Sequence, residues 1–529
     1  VVAAEKSETG APLLADDPHL GLSTPSIWYQ MHLESPEQNV SGVIFAGIPG
    51  IILGHNEQVA WGVTNVGPQV QDLYIEKPNP NNPHEFLYDG EYYEALVRDE
   101  DIKVKGGDIV DFEVIMTKHG PVISDLLFEE EPVNAVFSMQ WTALEPTNEL
   151  QAVLGFNKAA NWEEFELALH DFKVPAQNFV FADTEGTIAY RANGNIPLRK
   201  QGDGTLPVPG DSSEYGWEGF IPYEELPTVI NPKSGYIATA NNKVVGDEYP
   251  YHITDYWAQE YRYERIADLL EEKEKLSVQD MKDIQMDTVN YYAKTFFPLF
   301  LETLEGQNLN DHQELLASLK EWDFNETVDS HEAFVFNFMI EELIALLFEG
   351  AMPEDVYEMM PGKYNILDNL LRDAYAGKES VWIEQAGGLD ELIVAAFENS
   401  VAQISELYGH DYEKWKWGNY HQLTFNHNLA SAHDLIALYL NPKQVPVGGS
   451  RTTVLAARNR PNGDVSHGAS WRYVVDLSDL SSADHIVGPG QSGHRKSKWY
   501  ADQVEDWATG TYHTTSIDGQ YEEAYKLVL

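Results

Sequence analysis

The chain contains no cysteine. Disulfides, thiol nucleophiles, iron–sulfur clusters and cysteine-ligated zinc are therefore excluded. Basic residues are scarce: 34 Lys and Arg stand against 85 Asp and Glu, a formal net charge of −51. A surface this acidic repels phosphates and excludes a nucleic-acid binder. It serves either ordinary solubility or a saline medium, where screening removes the self-repulsion. No apolar run reaches the ~20 residues of a membrane-spanning helix. A phosphate loop, a dinucleotide fingerprint and a His-Glu-x-x-His zinc helix are all missing. Gly490-Gln491-Ser492-Gly493 only approaches the Gly-x-Ser-x-Gly nucleophile elbow and lacks its spacing. There is no internal repeat, low-complexity tract or flexible linker.

What is present is enough for a large core. Of 529 residues, 43% are hydrophobic and 12% aromatic, which excludes a disordered chain. At roughly 150 residues per domain the length suggests about three domains, or one large domain with an insertion. Residues 1–261 read as strand and turn. Val43–Ala46, Val59–Thr64, Phe112–Met116 and Ala189–Ala192 are short buried-strand runs punctuated by Gly, Pro and Asn. Val1–Ala4 reads as the interior of a strand. One helix interrupts, with Asn161 capping Trp162–Leu169. Over residues 262–443 the period turns helical: Ile266, Leu269 and Leu270 share a face, as do Phe334, Phe338, Ile340, Leu343 and Leu346, and Leu367, Leu370 and Leu371. Over 444–529 strands return, at Thr453–Ala456 and Trp471–Leu477. A sheet that begins, breaks for helices and resumes predicts one core with a helical insertion. The acidic run Glu129-Glu130-Glu131 reads as a solvated loop.

Several polar constellations could carry chemistry. His421, His427 and His433 lie close in sequence but lack a helical spacing and a carboxylate partner, so hydrogen-bonded histidines are the default over a metal site. Gly235–Lys243 reads as a strand ending in the amides of Asn241 and Asn242. Those amides could close a turn or donate to a developing oxyanion.

Taken in order, Pro12-Leu13-Leu14-Ala15-Asp16-Asp17-Pro18-His19-Leu20-Gly21, Gly54-His55-Asn56, Trp61-Gly62-Val63-Thr64-Asn65, Pro175-Ala176-Gln177-Asn178-Phe179, Thr239-Ala240-Asn241-Asn242-Lys243, Tyr261-Arg262-Tyr263-Glu264-Arg265 and Gly490-Gln491-Ser492-Gly493 with Tyr500-Ala501-Asp502-Gln503 are specific. The sequence resembles the β chain of the penicillin acylase family of N-terminal nucleophile hydrolases over essentially its whole length. The resemblance implies an α+β fold, a four-layer αββα sandwich with a helical insertion. It implies a precursor that cuts itself into a smaller α chain and a larger β chain, hence an α/β heterodimer. The nucleophile implied is the serine that opens the β chain, about four residues upstream of Val1. Its own α-amine, with a pKa near ~8, would be the base.

Residue by residue, the resemblance implies Asn241 as side-chain oxyanion donor and Asn65 as backbone donor. His19 would position the serine or its amine, and Arg262 would orient Asn241. Leu20, Ile52, Leu53 and Val63 match positions lining the acyl pocket. All four are aliphatic, which suits a fatty-acyl or modest aromatic group. A structural calcium is implied near Gln69, Gln71 and Asp72, with Pro207 as a carbonyl ligand and Ile253 where a distant Asp is expected. No organic cofactor is implied.

The expected function is hydrolysis of a linear N-acyl amide, with penicillin as the reference substrate. Acyl-homoserine lactone deacylation is the alternative within the class. A non-catalytic binding relative and a metallohydrolase built on His421, His427 and His433 are the rivals outside it. The family implies an extracellular or periplasmic location, and neither a nucleic acid nor a membrane as partner.

Overall fold

A computed structural model describes residues 1–124 and 135–518. The run Glu129–Glu131 lies outside the described residues. The chain enters through β1 (Leu13–Asp16) and β2 (His19–Gly21). It then lays down β3 (Trp28–Ser35), β4 (Gln38–Phe45), β5 (Leu53–Asn56), β6 (Val59–Asn65), β7 (Gln71–Glu76), β8 (Gln177–Asp183), β9 (Ile188–Asn193) and β10 (Thr228–Ile230). A seven-stranded antiparallel sheet has the order β10-β9-β8-β6-β5-β4-β3. After the helical region come β11 (Arg458–Asn459), β12 (Asp464–Ala469), β13 (Arg472–Asp476), β14 (Ser482–Ile486) and β15 (His513–Ser516). The strands β1-β13-β14-β15 make a second antiparallel sheet, so the first and last parts of the sequence share a layer.

Side-chain alternation builds four layers from these two sheets. Leu14, Tyr473 and Val475 face the large sheet and meet its near face, where Val43, Ala60 and Val180 belong to the same apolar cluster. Leu13 and Val474, one residue out of phase, face the other way. There they meet Leu270 and Met281, from α3 (Tyr261–Glu272) and α4 (Val278–Gln285). On the far side of the large sheet, Trp61 packs on Phe156 and Phe165 at ring distances of 6.4 and 5.9 Å. Those rings come from α1 (Glu149–Phe156) and α2 (Trp162–Leu169). The second is capped as predicted, with Asn161 Oδ1 accepting from the Glu164 N–H at 3.0 Å. The result is helix, sheet, sheet, helix. The helices from Tyr291–Glu305 through Trp417–Tyr420 enclose their own aromatic-rich core around Phe296, Phe297, Phe334 and Phe336.

Three predicted strands are not strands. Val1–Ala4 bridges only at Val2 and turns into a 3₁₀ helix at Ala4–Lys6. Thr453–Ala456 is a turn, because the Thr453 hydroxyl bonds the carbonyls of Ser450 and Leu455 and folds the segment on itself. Gly235–Lys243 makes a single bridge at Tyr236 and then runs irregularly, since Asn241 takes a left-handed φ of 65° that no strand accommodates.

Candidate active site

Asn241, Arg262, Asn65 and His19 come from four separate segments. Arg262, on the first turn of α3, points its Nη2 at the Ala240 carbonyl (2.8 Å) and the Asn241 Oδ1 (2.9 Å). A guanidinium only donates, so this contact decides which way the Asn241 amide faces. The Nδ2 is turned outward and donates to the Asn65 carbonyl at 3.0 Å. An amide nitrogen carries two hydrogens, so one N–H of Asn241 is uncommitted among the described residues. Burial pulls the Arg262 guanidinium down to about 10 against the opposing pull of Asp17, and it remains a cation at neutral pH.

Behind this pair lies a network the sequence did not announce. Asn178 on β8 donates through Nδ2 to Thr64 Oγ1 (3.1 Å), the Asn65 carbonyl (3.2 Å) and Thr239 Oγ1 (3.2 Å). Tyr190 locks its other end by donating to Asn178 Oδ1 at 2.6 Å. The end of β6 is thereby tied to the segment that carries Asn241. The only hint in the sequence was the run Pro175–Phe179, to which no role could be given.

His19 sits on β2, with Nε2 3.1 Å from Asp17 Oδ2. The strand is pinned beside it: the Pro18 carbonyl accepts from the Ser470 N–H (2.9 Å) and hydroxyl (2.7 Å). Leu20, Ile52 and Val63 are half-buried against the main apolar cluster, and Leu53 is fully inside it. The pairing of Gly54 with Trp61, continued outward, sets Ile52 opposite Val63.

Asp16 was passed over in the sequence. It is buried at the end of β1 and faces Gly62 of the opposing sheet, where a Cβ would fall 2.5 Å from the Asp16 Cγ. Glycine is thus required for the two sheets to meet here. Asp16 Oδ2 has no hydrogen-bond partner among the described residues. Burial first, then Asp17, push its carboxyl well above the usual range, partly opposed by N–H groups of Val63 and Asp17. A carboxyl that holds its proton in the folded state but loses it near pH ~4 when unfolded stabilises least at high pH, since above pH ~4 the folded state binds more protons. Stability from this group falls as pH rises through the folded-state pKa. Asp16→Asn is therefore expected to gain stability relative to the parent as pH rises from about 4 to 7.5, measured by urea unfolding at both ends. A constant difference would show that Asp16 ionises normally.

The residues assigned to calcium do not fit the ion. Asp72, on β7, is the one carboxylate among them, and it is already engaged. Arg199 forks onto it through Nε (2.8 Å to Oδ2) and Nη2 (2.7 Å to Oδ1). Trp217 Nε1 adds a bond to Oδ2 at 2.8 Å. The Gln69 carbonyl accepts from Arg199 Nη2 at 2.7 Å, and the Gln69 side-chain oxygen is held by His252 at 2.6 Å. Gln71 and Pro207 are exposed, and Ile253 offers only its backbone, whose carbonyl accepts from the Gln69 N–H. Calcium requires six to eight oxygens with several charges, and a guanidinium stands among these.

The three histidines are likewise committed. Both ring nitrogens of His421 face backbone carbonyls, of Val447 (2.8 Å) and Ala457 (2.9 Å), and burial lowers its pKa to about 4. His427 and His433 each accept a nearby backbone N–H through Nδ1. Among the described residues no three His, Cys, Asp or Glu side chains group as a metal site.

Residues 1–524 match the model of the family described as Penicillin amidase. Penicillin acylase 2 proenzyme of Pseudomonas sp. (strain SE83) is 30% identical over 96% of this chain and 65% of its own length. The acyl-homoserine lactone acylase QuiP of Pseudomonas syringae pv. syringae (strain B728a) is 26% identical, over 99% of this chain and 66% of its own. The chain thus spans about two thirds of the curated relatives it matches. A thermostable penicillin G acylase from Alcaligenes faecalis superposes with a TM-score of 0.75 over 100% of this chain and 98% of its own, at 21% identity, and so shares the fold. With the family pattern matched from residue 1 to 524 on a fold of this kind, the chain belongs to the penicillin amidase family.

Proposed function

We propose that the whole protein hydrolyses linear N-acyl amides through an acyl-enzyme on a serine four residues upstream of Val1. The observation that carries this is a strand register. Val2 bridges both Leu13 and Tyr236, antiparallel to each. Leu13 leads along its strand toward His19, and Tyr236 leads toward Asn241. The residues before Val2 therefore run toward these two segments, which supports a nucleophile between the His19 strand and the open N–H of Asn241. In this reading the serine's α-amine is the base, and His19 positions it. Asn241 and the Asn65 N–H stabilise the tetrahedral oxyanion. Attack forms the acyl-oxygen bond and expels the amine, which takes the proton; water then releases the acid.

The reading includes a smaller partner chain cut from the same precursor and an acyl group held by Leu20, Ile52 and Val63. Each CH₂ that such a group buries contributes about 0.8 kcal/mol. Acyl-homoserine lactones are the second candidate substrate, because the half-buried positions are all aliphatic. No described helix is long and apolar enough to cross a membrane. The charge of −51 suits a saline exterior. The test is intact mass and N-terminal sequencing of the purified protein beside a penicillin G hydrolysis assay. A β chain opening with serine, a second smaller chain and release of aminopenicillanic acid are expected. A serine-free start with no turnover of any N-acyl amide would overturn the proposal.

A further inference from the structure

One surface departs from the rest of this acidic molecule. Residues 427–443 and 491–500 hold four Lys and Arg and a single Asp, in a chain where acids outnumber bases 85 to 34. The same two segments expose apolar side chains. Leu438 is 81% exposed, Leu435 69% and Trp499 52%, and Leu429 and Tyr439 are exposed beside them.

The helix Asp434–Leu440 forms the centre of this surface, and none of its seven residues is buried. A helix so short does not persist in water on its own propensity, and its side chains find no core to hold it. Its backbone is held instead. The His433 ring caps the first turn, with Nδ1 accepting from the Leu435 N–H at 3.1 Å. Arg495 Nε donates to the Tyr439 carbonyl at 2.9 Å, and the Tyr500 hydroxyl donates to the Leu440 carbonyl at 2.7 Å. Asn441 Oδ1 then accepts from the His427 N–H at 2.9 Å. The helix is thus fixed through its main chain while Leu435, Leu438 and Tyr439 stay exposed. An apolar patch kept open in this way marks an interaction surface.

The bonds from Arg495 and Tyr500 also bring the basic run Arg495-Lys496-Ser497-Lys498 against the end of the helix. Lys498 lies over the Trp499 ring at 4.2 Å. Cations therefore border exposed Leu, Tyr and Trp. Asn426 and His427 pair with Ser23 and Thr24, which follow β2 directly, so the surface begins a few residues of strand from His19.

We infer that this surface docks on a layer of anionic lipid headgroups. The apolar side chains would enter the boundary with the acyl chains, and Arg495, Lys496 and Lys498 would face the phosphates. Trp, Tyr and Leu among Lys and Arg is the composition that seats a protein in that zone. Lasting protein interfaces are instead depleted in Lys. The charge of −51 does not prevent the contact. At 0.1 M salt the Debye length is about 10 Å, so cations at the lipid surface outweigh carboxylates farther away. The protein would lie on the membrane, a partner that the family resemblance does not imply.

The test is flotation of the full processed protein with phosphatidylglycerol or phosphatidylcholine vesicles in 0.1 M and 1 M salt. The parent is expected to bind phosphatidylglycerol roughly tenfold more strongly at the lower salt, with the difference shrinking at the higher. Lys496→Gln combined with Lys498→Gln should weaken binding to phosphatidylglycerol roughly tenfold. Leu438→Ser should weaken binding to both vesicles several-fold. All three side chains are exposed, so the urea unfolding midpoint should not move. Absence of flotation with either lipid would overturn the inference, as would equal binding of the parent and both variants. So would a photo-crosslinking amino acid in place of Leu438 that captures a smaller chain of the same protein or a second copy of this one, since the surface would then be a protein contact. None of these readouts requires turnover, so failure of the hydrolase reading would leave them standing.

Discussion

Asn241→Ala is expected to lower kcat for N-acyl amide hydrolysis by about 10²–10³-fold while leaving KM within a few-fold. The reason is the direction of one amide. Arg262 Nη2 sits 2.9 Å from the Asn241 Oδ1, so the nitrogen must face away from the guanidinium, toward the proposed oxyanion position. The left-handed φ of 65° at Asn241 holds that orientation at the backbone, and the Asn65 carbonyl takes one of its two hydrogens. The remaining N–H is the donor lost on truncation, worth about 2.7–4 kcal/mol in the transition state. Asn241→Asp is the sharper test. It keeps the shape, places a carboxylate against Arg262 and offers no donor, so it should be as slow as the alanine variant. Steady-state kinetics on a single good substrate reads both. Activity within a few-fold of the parent in both variants would remove Asn241 from the oxyanion site.

The layers and the polar centre were largely legible in the sequence, for different reasons. Runs such as Val59–Thr64 and Ala189–Ala192 carry enough apolar and β-branched character to declare themselves buried strands. The Asn161 cap marks a helix start by local chemistry alone. His19, Asn241 and Arg262 were read through resemblance, since nothing local distinguishes an oxyanion asparagine from a turn asparagine. That ambiguity also explains why Gly235–Lys243 looked like a strand. Its apolar alternation is real, but its backbone follows the demand of Asn241 and not a neighbouring strand. What stayed hidden depends on residues far apart in the chain. Asp16 looks like one more acid in an acidic protein until Gly62 of the opposing sheet closes over it. The partner of Asp72 is 127 residues away, on a segment without any motif.

That pair carries the second large prediction. Arg199 and Asp72 are both almost completely buried, with side-chain exposures of 5% and 6%. Their fork is supplemented by Trp217 Nε1 on the carboxylate and the Gln69 carbonyl on the guanidinium. Gly204 backs the pair at a φ of +86°, where a Cβ would come within 2.8 Å of both. Removing one member leaves the other charged, desolvated and unpaired, which typically costs about 3–5 kcal/mol. Arg199→Met is therefore expected to lose about that much in urea unfolding. Arg199→Lys should lose a substantial part of it too, because a point charge cannot satisfy both oxygens and the Gln69 carbonyl at once. The double variant Arg199→Met with Asp72→Leu should recover most of the loss, since it removes the orphaned charge along with its partner. The same saturation predicts how the parent responds to chelators. A carboxylate whose oxygens already accept from Arg199 and Trp217 has little left for a divalent ion, so unfolding in excess chelator should match unfolding in millimolar calcium. A midpoint that falls in chelator and returns with calcium would mean that the ion displaces the Arg199 fork. In that case the Arg199→Met variant should depend on calcium more strongly than the parent.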